Sequence, residues 1–116
     1  GRPLKCGEFL DIRTPTWQVL PSMSTSRVSL GLCTVHTCLF AVGGVNTASV
    51  EVFDQQAWSW RTLNGLSDVR EAPAVAQYAE NIYTIGGADT KGCSAKVEKH
   101  SLEESKWNEI TNMINA

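Results

Sequence analysis

The chain has 116 residues, a normal length for one domain, with 10 lysine and arginine residues against 12 aspartate and glutamate residues and a formal net charge of −2. It contains no basic run that could follow a nucleic-acid backbone and no basic amphipathic helix for a membrane surface. Its most apolar stretch, residues 30–45, is interrupted by threonine, histidine and glycine and is too short to span a bilayer. We therefore predict neither a nucleic-acid nor a membrane partner.

The ends and cysteines of the chain give a second set of expectations. The chain begins Gly1-Arg2-Pro3-Leu4-Lys5, without a methionine or a signal peptide, so we expect it to have been cut from a longer protein. Its four cysteines form no Cys-x-x-Cys pair, and no Asn-x-Ser/Thr acceptor is present. This usage predicts reduced thiols and a cytoplasmic location, with a Cys33–Cys38 disulfide in an oxidising setting as the alternative.

An internal repeat organises the sequence. The segment Leu39–Gly44 matches Ile82–Gly87 at an offset of 43 residues, and each segment ends in a Gly-Gly doublet. Tryptophan recurs at positions 17, 60 and 107, in steps of 43 and 47 residues. The four additional residues of the second step fit between Gly87 and Val97, where we expect a loop to accommodate them.

The predicted elements are short strands separated by turn residues. In chain order they are Lys5–Asp11 and Thr16–Leu20, then Ser29–Thr34, Cys38–Val42, Ser49–Phe53 and Ser59–Leu63, then Ala72–Gln77, Asn81–Ile85, Ala95–His100 and Lys106–Ile110. Alternation in Val50-Glu51-Val52 and Val97-Glu98-Lys99 predicts strands with one buried face. No helical pattern is comparably strong, which favours an all-β fold.

This pattern resembles the kelch repeat, in which an apolar and aromatic strand leads into Gly-Gly and an aromatic-Asp pair precedes a tryptophan. Here these are residues 39–44, Phe53-Asp54 and Trp60. The segment Trp17–Arg27 is similar to the linker between blades in kelch-like (BTB-BACK-kelch) proteins. His100-Ser101 and Leu10 depart from the aromatic-Asp pattern in the other two repeats.

The resemblance implies a fragment of a kelch β-propeller with four-stranded antiparallel blades. Residues 1–26 hold the outer strands of a preceding blade and a linker, and residues 27–69 and 70–116 each form a repeat. The parent protein would have six blades. Two complete blades plus half of a third cannot close a ring, so the remaining blades would come from missing sequence or from other chains.

Several repeated residues have structural roles in this interpretation. The glycine doublets permit positive φ or close backbone approach, the tryptophans fill contacts between blades, and Asp54 accepts backbone N–H bonds at a tight corner. The residues concerned are Gly43, Gly44, Gly86, Gly87, Asp54, Trp17, Trp60 and Trp107.

The resemblance also implies a partner-binding face, built from the loops after each Gly-Gly and the segments leading into each innermost strand. The candidate residues are Arg27, Ser29, Asn46, Thr47, Arg70, Ala72, Asp89 and Lys91. For the repeated Arg27 and Arg70, a structural role such as pairing with a carboxylate is the slightly favoured alternative. The non-repeating Asn46, Asp89 and Lys91 are better candidates for specificity, because the fold does not require them.

The predicted function is a protein-interaction module, with the substrate-recognition region of a BTB-kelch adaptor for a cullin-RING ubiquitin ligase as the leading hypothesis. A scaffold that binds actin or another cytoskeletal protein is the alternative, and an enzyme resembling the kelch-type copper oxidases is the third. The spacing of Cys33, His36 and Cys38 matches no common zinc module. We therefore predict no metal, no cofactor and no catalytic residue.

Overall fold

The regular structure consists of short β-strands. The computed structural model describes residues 2–116. The strands are β1 Glu8–Asp11, β2 Thr16–Val19, β3 Gly31–Val35, β4 Cys38–Val42, β5 Val50–Asp54, β6 Ser59–Leu63, β7 Ala74–Tyr78, β8 Asn81–Ile85, β9 Ala88–Asp89, β10 Gly92–Cys93, β11 Val97–Ser101 and β12 Lys106–Glu109. The predicted all-β class is confirmed, and the bounds of β4, β6 and β8 are those that the sequence predicted.

Two four-stranded antiparallel sheets form the main body of the structure. The first blade has the strand order β3-β4-β5-β6, and the second has the order β7-β8-β11-β12. The innermost strands β3 and β7 lie against each other. Strands β1 and β2 form a separate antiparallel pair, as predicted for the outer strands of a preceding blade. The four additional residues of the second repeat belong to a small hairpin, β9–β10, where the sequence predicted only a loop.

Both innermost strands begin two residues later than predicted. The prediction placed their first residues at Ser29 and Ala72, but pairing begins at Gly31 and Ala74. Ser29 and Ala72 have φ angles of 54° and 46°, so both lie in the left-handed region. A strand cannot continue through that conformation, which displaces the start of each strand.

The hydrophobic core occupies the contact between the two blades. Its members are Val35, Phe40, Val42, Val50, Val52, Leu66 and Ile82. Strand β5 is buried on both faces, since Glu51 and Phe53 are as buried as the valines beside them. The prediction that β5 has one buried face was therefore wrong, because both of its faces are buried. One face packs towards Ile82 of the second blade. The other is covered by the linker between β2 and β3, where the Ser24 N–H donates a hydrogen bond to Glu51.

The repeated tryptophans differ in exposure according to what lies beside them. The Trp60 Nε1 donates to the Pro21 carbonyl at 2.8 Å, and its ring lies 5.4 Å from that of Phe53. Trp107 is half-buried beside His100, whereas Trp17 is 65% exposed. Trp60 and Trp107 are thus both half-buried in the complete blades, and Trp60 is in addition hydrogen-bonded to the preceding linker.

Replacing Trp60 should destabilise the chain much more than replacing Trp17. Trp60→Ala removes a packed ring and a hydrogen bond, and we expect a loss of about 3–5 kcal/mol in the free energy of unfolding. Trp17→Ala removes an exposed ring and is the matched control, with an expected loss below about 1 kcal/mol. Denaturant unfolding of the two variants measures both values. A loss below about 1 kcal/mol for Trp60→Ala would show that the ring is not packed between linker and blade.

The 116-residue chain should self-associate in solution. Large apolar side chains are exposed on its surface, including Trp17, Val19 at 71% exposure and Tyr78 at 72%. Such surface favours association. Sedimentation velocity should therefore show species larger than the monomer, and Val19→Lys should shift the distribution towards the monomer. A monodisperse monomer that melts cooperatively would contradict this expectation.

Candidate functional site

The predicted binding loops come together at one end of the two blades. We call this end the loop face and define it as residues 26–29, 45–47, 69–72 and 88–91. The Gly44 N–H donates to the Arg70 carbonyl at 2.9 Å, and the Ala72 N–H donates to the Ser29 carbonyl at 2.8 Å. Glu71 and Ala88 exchange two backbone bonds of 2.8 Å. The loops of the first blade are thus joined directly to those of the second.

The glycine doublets allow this close approach between the blades. Gly43 has a φ of 64°, and a Cβ atom there would lie 2.4 Å from the Arg70 carbonyl oxygen. Gly87 has a φ of 85°, and its Cβ atom would lie 2.5 Å from the Glu71 carbonyl oxygen. No larger residue fits either position without moving backbone, so the doublets set the spacing of the loop face.

A buried ion pair lies beneath the loops of the first blade. The Arg27 Nη2 and the Glu51 Oε2 are 2.8 Å apart, and the two residues are only 4% and 1% exposed. The Arg27 Nη1 donates to the carbonyl oxygens of Gly43 and Ser49, both at 2.8 Å. One guanidinium therefore connects the segment before β3, the Gly-Gly loop and strand β5.

The second blade repeats this arrangement. The Arg70 Nη2 lies 2.8 Å from the Glu98 Oε2, and both side chains are buried. The Arg70 Nη1 donates to the carbonyl oxygens of Gly86 and Lys96, at 3.1 and 3.2 Å. These contacts place Arg27 and Arg70 in the structural role that the sequence left as the alternative. Neither side chain reaches the surface, so Arg27 and Arg70 are not placed to contact a partner as the resemblance had implied.

Glu51 also fixes the linker that precedes the first blade. Its carboxylate accepts bonds from the backbone N–H and hydroxyl of Ser24, both at 2.7 Å, and from the Thr25 N–H at 3.2 Å. Burial alone would raise the pKa of Glu51, but the bonds from Ser24, Arg27 and Thr25 outweigh it and lower that pKa. Glu51 therefore stays ionised opposite Arg27 at neutral pH.

The remaining candidates lie at or near the surface of the loop face. Ser29, Asn46, Ala72 and Lys91 are exposed, whereas Thr47 and Asp89 are half-buried. The Asp89 Oδ1 accepts the Lys91 N–H at 2.7 Å, which shapes the β9–β10 turn. Asn46 and Lys91 therefore present their side chains from ordered backbone and are not part of the repeat.

Asp54 lies at the corner between β5 and β6. The Asp54 Oδ1 accepts the backbone N–H groups of Gln56 and Ala57, at 2.8 and 3.3 Å, and so holds the turn between β5 and β6.

Glu51 and Glu98 were not singled out from the sequence as partners of the arginines. They were detectable, because each follows its repeated arginine by a similar interval, 24 and 28 residues.

Across residues 2–116, no group of three or more His, Cys, Asp and Glu side chains is placed to hold a metal ion. The four cysteines are free thiols, and burial raises the pKa of Cys33. The part of the chain that the structure describes has no helix long and apolar enough to cross a membrane.

Comparison with known proteins identifies the repeat. The kelch motif family matches residues 26–67. Kelch domain-containing protein 8B of Rattus norvegicus is 30% identical over 133 residues, covering 98% of this chain and 37% of the relative. The repeats of this chain are therefore kelch repeats. Kelch-like protein 7 of the same species is 30% identical, over 92% of this chain and 19% of its own length. Kelch repeat protein C2 of vaccinia virus (strain Western Reserve) is 24% identical, over 88% of this chain and 20% of its own.

The kelch chain thus spans little more than a third of one relative and about a fifth of the others. Kelch repeats indicate a protein-interaction module, and the loop face carries the exposed, non-repeating side chains of Asn46 and Lys91. The buried Arg–Glu pairs hold the backbone of that face in place.

Breaking one buried pair should destabilise the kelch fold strongly. Glu98→Gln preserves the shape of the side chain but leaves the buried Arg70 charge without its counter-charge. We expect a loss of about 3–5 kcal/mol in the free energy of unfolding. Asp68→Asn, which removes the charge from the exposed pair with Lys96, is the control and should cost less than about 1 kcal/mol. Urea unfolding distinguishes the two, and equal losses would contradict the role given to the buried pair.

Proposed function

We propose that these kelch repeats belong to the substrate-recognition region of a BTB-kelch adaptor for a cullin-RING ubiquitin ligase. The observation that carries the proposal is the loop face itself, where exposed, non-repeating side chains stand on backbone fixed by buried ion pairs. A rigid scaffold with variable loops favours recognition, because little order has to be created when the partner binds.

The charges available to a partner are not those of the repeated arginines. Glu51 and Glu98 pair with Arg27 and Arg70 inside the blades. At the loop face, the exposed Lys91 and the half-buried Asp89 carry opposite charges on the β9–β10 turn. This turn lies within the segment that lengthens the second repeat, so it is a natural source of specificity.

The adaptor assignment is supported by the resemblance of the linker to kelch-like proteins and by the similarity to kelch-like protein 7 over 92% of the chain. In such adaptors a BTB-BACK segment connects the propeller to the ligase, and further blades close the ring. We propose that both belong to the protein that carries these repeats, and that it acts in the cytoplasm.

Site-specific photo-crosslinking from the loop face tests the proposal. A photoreactive amino acid would replace Asn46 in the full-length protein expressed in cells, with the same substitution at Gln56 as the matched control. Gln56 is also exposed but lies in the corner between β5 and β6, at the opposite end of the blade. We expect a discrete adduct from Asn46 only, and ubiquitination of the captured protein that depends on the adaptor.

A second variant checks that the contact belongs to the loop face. Lys91→Glu should reduce the adduct at least tenfold. It should leave the melting temperature unchanged, because the Lys91 side chain is exposed and pairs with no described carboxylate. Equal capture from Asn46 and Gln56 would contradict binding at the loop face. Capture of actin or another cytoskeletal protein without ubiquitination would replace the adaptor by the cytoskeletal scaffold.

A further inference from the structure

His100 occupies the position that Phe53 has in the first repeat. It lies in β11 with Ile82 opposite it in β8 and Trp107 opposite it in β12. Phe53 holds the matching place in β5, between Leu39 and Trp60. His100 is only 2% exposed, so an ionisable ring has replaced phenylalanine inside the second blade.

The surroundings of His100 favour the neutral imidazole. Its ring centroid lies 5.0 Å from Trp107 and 6.3 Å from Phe40 of β4, and neither ring nitrogen has a hydrogen-bond partner. An imidazolium carries two N–H donors and a charge, and this environment satisfies neither. Burial lowers the pKa of His100, and the charge of Arg61 lowers it further.

Among the described side chains that the structure places against His100, none is a free carboxylate that could stabilise the charged ring. The facing side chains of β4, β8 and β12 are Phe40, Ile82 and Trp107, which do not titrate. Arg61 of β6 is itself a cation. Glu98 precedes His100 by two residues in β11, but its carboxylate is engaged by Arg70 at 2.8 Å.

His100 also lies where the two blades meet. Phe40 belongs to the first blade and Trp107 to the second, and Ile82 opposite His100 is part of the shared core. We propose that His100 makes this contact between the blades sensitive to acid, since the neutral ring packs there and the protonated ring is expelled. Weakening the contact would also disturb the loop face, whose backbone bonds join the same two blades.

The direction of the effect follows from the lowered folded-state pKa. The unfolded chain takes up the proton more readily, so stability is fully present above the unfolded-state pKa of about 6.5 and falls as the pH drops below it. Within that window, the unfolding equilibrium constant rises by up to about tenfold per pH unit. The loss ends at the folded-state pKa.

Unfolding of the full-length protein in denaturant at pH 7.5 and 5.5 tests this proposal. The unfolding constant of the wild type should rise by up to about tenfold more than that of His100→Phe, which restores the aromatic side chain of the first repeat. His36→Gln is the matched control, because His36 is exposed and pairs with Glu80 at the surface. This control should keep the additional loss of stability between pH 7.5 and 5.5 that His100→Phe removes.

A direct titration keeps the test decisive if His100→Phe fails to fold. The imidazole Cε1–H resonance of His100 in the folded wild type, followed by NMR, should titrate at a lower pH than the same ring in the unfolded chain. Titration at or above the unfolded value would overturn the proposal. So would an unchanged pH dependence in a folded His100→Phe variant.

Discussion

The structure depends on the buried pairing of one arginine with one glutamate in each complete blade. Moving a guanidinium out of water is costly unless its charge and its N–H groups are matched. Glu51 matches the charge of Arg27, and the carbonyl oxygens of Gly43 and Ser49 accept bonds from its Nη1, whereas its Nε has no hydrogen-bond partner among the described residues. Because these acceptors lie in separate segments, satisfying the arginine requires the linker, the Gly-Gly loop and β5 to be in one arrangement.

Each blade is incomplete without its neighbour. The Gly44 N–H of the first blade finds its acceptor on Arg70, at the start of the second, and Trp60 finds its acceptor on Pro21 in the preceding linker. Trp17 has the same place in the repeat but stays exposed. A repeat architecture of this kind gains much of its stability from interfaces between units, so the energetics of one blade cannot be separated from those of the next.

The sequence predicted the fold well because the repeat fixes strand order and the glycine doublets mark strand ends. It failed where tertiary contacts override local pattern. The alternation of Val50-Glu51-Val52 predicted a strand with one buried face, yet Glu51 on the other face is also buried because Arg27 lies against it. The positive φ of Ser29 and Ala72 is likewise set by the bonds that join the loops, which residue type alone does not reveal. For the loop face, the sequence located the loops but not which of their side chains reach the surface.

In this chain, repeated residues and non-repeated residues carry different information. Repeated positions such as Arg27 and Arg70 satisfy buried groups, so their similarity reflects packing and says little about a partner. An exposed residue that differs from the repeat pattern, such as Lys91, is not required by the fold and is free to serve recognition. A buried departure such as His100 is different again, because the core must tolerate its polar ring at a cost that phenylalanine would avoid. Exposure therefore decides whether a break in the repeat bears on the partner or on the conditions under which the blades stay together.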